Sequence, residues 1–126
     1  MEETLFEKIG GKNAVELASI KLYYHILEDD RIKDFFKDID LKKQSTKMTA
    51  FLTYIFGGPS LYTGRNMRKA HKNVVEQGLN DEHVDAMLEN VHITLNEMEI
   101  PVDLQKQVLA RLEKHRDDVL CRNKAA

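Results

Sequence analysis

His71 follows a glycine-punctuated stretch that runs from Phe56-Gly57-Gly58-Pro59 through Tyr62-Thr63-Gly64-Arg65 to Met67-Arg68-Lys69-Ala70-His71. That spacing sets one imidazole on a helix just past a loop, a support suited to holding a metal. A haem iron with a single protein ligand needs a neutral ring nitrogen on a rigid element, an apolar slot for the porphyrin, and cations near the slot's mouth for the propionates. Arg65, Arg68, Lys69 and Lys72 place such cations close to His71. On residue type alone, a histidine in so polar and basic a helix is a surface residue, so this chemistry needs support from elsewhere in the chain. A second stripe offers it: Gln44, Lys47, Met48, Phe51 and Ile55 recur at helical spacing and point one way. Taken as a bare pattern, that stripe is core.

Read in order, Leu5-Phe6-Glu7-Lys8-Ile9-Gly10-Gly11, Leu22-Tyr23 with Asp29-Asp30-Arg31-Ile32, Phe35-Phe36, Lys43-Gln44, Ala50-Phe51-Leu52-Thr53-Tyr54, and Gly57-Gly58 leading to His71 resemble the group I truncated haemoglobins of cyanobacteria and green algae. The resemblance covers nearly the whole chain. It implies an all-α fold, a truncated globin in which two helix pairs sandwich a b-type haem, with residues 1–126 as one domain. It also implies roles. His71 falls at the proximal iron ligand, Tyr23 and Gln44 at the phenol and amide that contact the bound ligand, and Lys47 where some relatives carry a residue that binds iron itself. An amine there would be a sixth ligand, and it must be deprotonated to coordinate. The alternative is a lysine whose stem lies on the haem edge with its ammonium in water.

Phe35, Phe36, Met48, Phe51, Tyr54, Met67, Leu79 and Val84 are the expected haem contacts, with Ile93 a further wall candidate and Arg65 and Arg68 the expected propionate cations. His115, in Glu113-Lys114-His115-Arg116-Asp117-Asp118, resembles a C-terminal histidine that alkylates a haem vinyl group; by residue type it is simply solvated. Three departures stand out: one residue fewer between His71 and Gly78, Val84 where phenylalanine is common, and Met48 in place of a second distal glutamine.

Within this class the resemblance permits binding, storage or sensing of dioxygen, dioxygenation of nitric oxide, nitrite reduction or electron transfer, with carbon monoxide a further ligand. Coordination by Lys47 favours redox and nitrogen-oxide chemistry, because each incoming ligand must displace the amine. No Gly-x-Gly-x-x-Gly for a flavin or nicotinamide is present, so turnover calls for a separate reductase. A different class, a helical di-metal protein, has one Glu-x-x-His pair in Glu89-Asn90-Val91-His92 and lacks the second that such sites use.

With 126 residues, 42% of them hydrophobic, the chain suffices for one domain with a real core. Nineteen Lys plus Arg against 21 Asp plus Glu leave a formal charge of −2, which gives no electrostatic footprint for nucleic acid. No apolar run of membrane-spanning length and no secretory pattern is visible, so a soluble, cytoplasmic monomer is expected. Cys121 is the single cysteine, which excludes an intrachain disulfide, and Cys-x-x-Cys-His is missing.

Capping and breaking residues divide the chain into helices. They run from about Thr4 to Gly10-Gly11, from about Asn13 to Leu27, and from about Leu41, capped by Asp40, to Phe56. Another is capped by Asn66 and ends at Gly78. The last two start at Asn80, reaching about Met98, and at Pro101, reaching about Val119, while Asp30 caps a turn holding Ile32, Phe35 and Phe36.

Overall fold

The computed structural model describes residues 3–36, 40–60, 62 and 64–122, so Thr63 of the loop and the first two residues lie outside the described set. The described elements are helical: α1 (Leu5–Ile9), α2 (Gly11–Glu28), a 3-10 turn (Lys33–Phe35), α3 (Leu41–Ile55), α4 (Gly64–Glu76), α5 (Asp81–Glu97), α6 (Val102–Lys114) and α7 (Arg116–Val119). α2 packs against both α3 and α5, while α6 packs against both α5 and α3. One helix pair therefore lies across another. α4 stands apart from this sandwich, with α7 as its principal neighbour.

Local chemistry explains most boundaries. Thr4 accepts from the Glu7 N–H at 3.1 Å, and Asp40 accepts from the Lys42 and Lys43 N–H groups, satisfying donors that a first helical turn leaves without partners. Asn80 caps α5 by accepting from Glu82, and His83 Nδ1 accepts in return from the Asn80 N–H at 2.9 Å. At the end of α3, Gly57 takes a φ of 85° and the Gly58 N–H reaches back to the Thr53 carbonyl. A methyl on Gly57 would lie 2.7 Å from Arg111 Nη1, which itself donates to the Ile55 carbonyl. Glycine here serves both the left-handed turn and the approach of α6.

Four boundaries differ from expectation. α2 begins at Gly11 instead of Asn13, because Gly10 and Gly11 turn the chain with φ of 126° and 71° and let the helix start at once. Asp29, not Asp30, organises the following turn: it accepts from the Arg31 N–H and guanidinium, and from Asn90 Nδ2 at 2.8 Å on α5. α4 starts at Gly64, which makes Asn66 its third residue and not its cap. The last helix is interrupted at His115, where ψ opens to 7°.

Arg31 and Asn90 hold the Asp29 carboxyl well below the usual carboxylate range, the Arg31 hydrogen bonds contributing most and burial opposing. A carboxyl depressed in the folded state stabilises the fold above its unfolded pKa, near 4, and loses that contribution as pH falls further. The difference in urea midpoint between the wild type and Asp29→Asn is accordingly expected to be present at pH 6 and to shrink progressively below about pH 4. A difference that stays constant down to pH 2 would contradict this.

The core unites residues from nearly every element: Leu5 and Ile9; Val15, Ala18, Leu22 and Ile26; Leu52, Ile55 and Phe56; Val91 and Leu95; and Leu104, Val108 and Leu112. Phe56 is the largest side chain buried completely. No described helix is long and apolar enough to cross a membrane.

Candidate haem site

α4 carries a stripe of Met67, His71, Val74 and Val75, spaced i, i+4, i+7 and i+8, which is its apolar face despite the polar average of the helix. Met67 is fully buried and His71 partly so. His71 Nδ1 lies 2.7 Å from the Met67 carbonyl oxygen. A carbonyl can only accept, so Nδ1 carries the proton and donates, which leaves the lone pair on Nε2. Burial pushes the ring's pKa below the ordinary histidine value, with the Met67 carbonyl opposing. The result is a neutral imidazole with its tautomer and orientation set by the backbone one turn earlier, which is the donor that haem iron requires.

α3 presents two adjacent strips, not the single one expected. Met48, Leu52, Ile55 and Phe56 enter the core between α2 and α6. Gln44, Lys47, Phe51 and Tyr54 lie one helical step aside, half-buried except for Lys47, which is exposed. Met48 and Ile55 thus serve the core, and Leu52, outside the expected stripe, is among its most buried members. Tyr62 continues the aromatic strip, 5.6 Å from the Phe51 ring and 5.9 Å from Tyr54, and His115 lies 5.4 Å from Tyr54. Tyr62 sits in the loop, where no periodicity marks it.

Tyr23 is 6% exposed and donates from its hydroxyl to the Gln44 main-chain carbonyl at 3.0 Å, while its ring meets Phe36 edge to face at 6.0 Å. Burial pushes its pKa up to about 12, so it remains a donor throughout the physiological range. The two expected distal groups are therefore brought together, but through the backbone of Gln44. Phe35 stacks edge to face on His83 at 4.9 Å. Val84 is buried, Leu79 half-buried and Ile93 44% exposed.

Arg68 is not a free cation. Its Nε donates to Asp118 Oδ1 at 3.0 Å and its Nη2 to the Arg122 carbonyl at 2.5 Å, so it ties α4 to α7. Arg65, Lys69 and Lys72 are exposed and supply the positive charge along α4. His115 is not solvated either: its Nδ1 is 3.1 Å from Asp118 Oδ2, and its side chain is about one-fifth exposed. Asp118, 2% exposed, escaped sequence reasoning because its run of charged neighbours reads as surface. The spacing of three from His115 was its one available signal. Cys121 is free and donates from Sγ to the Arg68 carbonyl at 3.3 Å.

The di-metal reading fails on geometry. Glu89 is held by Arg31 at 2.6 Å, His92 is exposed, and among the described residues no three His, Cys, Asp or Glu side chains gather to hold an ion.

Comparison with known proteins agrees with this geometry. The bacterial-like globin family matches residues 4–121. A group 1 truncated haemoglobin, GlbN, from a Synechocystis strain is 52% identical over 120 residues, covering 93% of this chain and 97% of the relative. Among solved structures, the 2/2 haemoglobin of Synechococcus sp. PCC 7002, in a cyanomet state with covalently attached haem, superimposes with a TM-score of 0.89 at 43% identity, covering 95% of this chain and all of that one. A Tetrahymena pyriformis truncated haemoglobin in its Fe(III) form gives 0.85 at 38% identity, covering 94% and 98% of the two chains. An all-helical two-over-two sandwich with a partly buried, tautomer-fixed histidine outside it, matched along nearly its full length, places this chain in the group I truncated haemoglobins, haem-binding globins that take up gases such as dioxygen.

Proposed function

We propose that this protein binds haem b through His71 Nε2 and carries out nitric oxide dioxygenation or related nitrogen-oxide redox chemistry in the cytoplasm, as a one-domain protein served by a separate reductase. The observation that supports it most directly is the 2.7 Å bond from His71 Nδ1 to the Met67 carbonyl, because it frees the other nitrogen to coordinate. The haem supplies the iron that binds diatomic ligands and changes oxidation state. The chain's own residues hold and screen it. Phe36, Phe51, Tyr54 and Met67 contribute apolar surface, and Arg65, with Lys69 and Lys72, offers α4 cations to a propionate. His115 is read as the point of covalent attachment to a vinyl group, a reading favoured by its place beside Tyr54 and by the attached haem of the Synechococcus relative.

Tyr23 and Gln44 are the distal donors in this reading. A hydroxyl and an amide in a low-dielectric cavity bind a partially anionic diatomic ligand more tightly than either would in water. For Tyr23, the hydroxyl must rotate away from the Gln44 carbonyl. Lys47 shares the Gln44, Phe51 and Tyr54 strip and is read as the sixth ligand in the absence of an exogenous one. It begins exposed, so coordination requires its flexible stem to fold inward.

Ferric and ferrous spectra across pH, with and without nitric oxide, test this reading. A low-spin, six-coordinate spectrum near neutral pH is expected, converting to high-spin on acidification and in Lys47→Ala. High-spin ferric protein at alkaline pH would eliminate the lysine ligand. It would favour the second reading, open-site binding of dioxygen for storage or sensing, which the exposure of Lys47 in this structure recommends.

A further inference from the structure

His115 stands at the break between α6 and α7, so two side-chain neighbours, and not a continuing helix, fix its ring. One is Tyr54, on the aromatic strip of α3, and the other is Asp118. The Asp118 carboxylate divides its oxygens: Oδ2 faces His115 Nδ1, and Oδ1 accepts from Arg68 Nε, on α4 and less than one turn before His71. His115 is thus anchored at once to both walls of the candidate haem site. A carboxylate is an acceptor only, so Nδ1 carries the proton and the lone pair resides on Nε2. Arg68 neutralises the buried carboxylate and locks its rotation, because a guanidinium only donates. Sγ of Cys121 and the Arg122 carbonyl add two more bonds between the α7 end and Arg68.

We propose that Asp118 is a positioning residue that prepares His115 Nε2 as the nucleophile toward a haem vinyl group, with Arg68 holding the carboxylate in register. This rests on the reading of His115 as the attachment point. The Nε2 lone pair forms a bond to one vinyl carbon, the π pair of the C=C bond takes a proton from water at the other, and the Nδ1 proton departs through the carboxylate to solvent. The sum is addition of N–H across a double bond, which requires no oxidant or reductant. The carboxylate's part is the orienting one of an Asp-His pair.

The test compares wild-type holoprotein with Asp118→Asn, following the fraction of haem that resists acidified organic extraction. Because Arg68 must face an acceptor, it holds the asparagine amide oxygen and turns the NH2 group toward His115. Nδ1 then becomes the acceptor, and the proton moves to Nε2. Attachment is expected to slow at least about tenfold, the change carried by a charge-assisted hydrogen bond at the weak end of its range. Nitrogen-15 shifts of His115, recorded with mesohaem, whose ethyl groups cannot react, are expected to report Nδ1–H in the wild type and Nε2–H in the variant. Adding Arg68→Met frees the amide to turn its oxygen to His115, and recovery of both readouts is expected, which a mere folding defect would not permit. Wild-type haem that extracts completely overturns the attachment reading and this proposal with it. Wild-type attachment at a rate unchanged in Asp118→Asn, or an unaltered tautomer, overturns the Asp118 role alone.

Discussion

Replacing His71 with glycine is expected to abolish stable haem binding while leaving the helical fold in place. In the structure the ring occupies the inward stripe of α4 and is steered by a single bond to the Met67 carbonyl. Altering the partner of a metal-bound histidine typically costs about 10–100-fold in metal affinity, and deleting the ligand itself costs more than that. Hemin titration followed at the Soret band is therefore expected to show affinity lowered by more than about a hundredfold, restored in part by millimolar imidazole, which supplies the missing nitrogen from solution. Far-ultraviolet circular dichroism is expected to change little, because α4 meets the sandwich mainly through α7 and its buried residue, Met67, remains. A variant with the wild-type spectrum and undiminished hemin uptake would remove the proximal assignment altogether.

Phe56→Ala is expected to have the largest effect on stability. Phe56 closes α3 as its C-terminal cap residue and is 1% exposed, beside Ala18, Leu22, Leu52, Val91, Thr94 and Leu95. Those residues already surround a cavity of about 10 Å³, so the packing there leaves little slack to collapse into a phenyl-sized gap. Phenylalanine-to-alanine changes in such surroundings cost roughly 3–5 kcal/mol. Domains of this size have about 5–15 kcal/mol in total, so a third or more of the stability is at stake. Thermal unfolding of the haem-free protein is expected to show the midpoint fall by about 10 °C or more. Haem-free protein is the right sample, because haem binding stabilises the native state and would mask part of the loss. A shift of only a degree or two would mean that Phe56 is not packed among the α2 and α5 side chains as described.

Sequence alone was sufficient for most of the helices and for singling out His71 as the candidate ligand. Asp40 caps the helix it was expected to cap, and Thr4 and Asn80 cap the helices expected to start at them, because the side-chain oxygen meets an N–H only two or three residues ahead. Gly57 and Gly78 end helices because a positive φ is a property of the residue itself. The candidate histidine on α4 was singled out through spaced motifs whose order matches a family.

Tertiary structure decided what depends on partners distant along the chain. Arg68 and Asp118 are 50 residues apart, and nothing near either residue announces that one neutralises the other. That pairing turns an expected propionate cation into a tie between α4 and α7, and a run of surface charge into a buried carboxylate. The division of α3 into a core strip and an aromatic strip likewise depends on where α2 and α6 fall around it, since helical periodicity fixes the angle between residues but not which neighbour each one meets. Ile93 illustrates the same limit: it is apolar by residue type, yet 44% exposed, which nothing in its neighbouring sequence announces. Local interactions are set by the chain within a few residues of themselves, whereas ion pairs and packing faces come into being only when the helices are assembled.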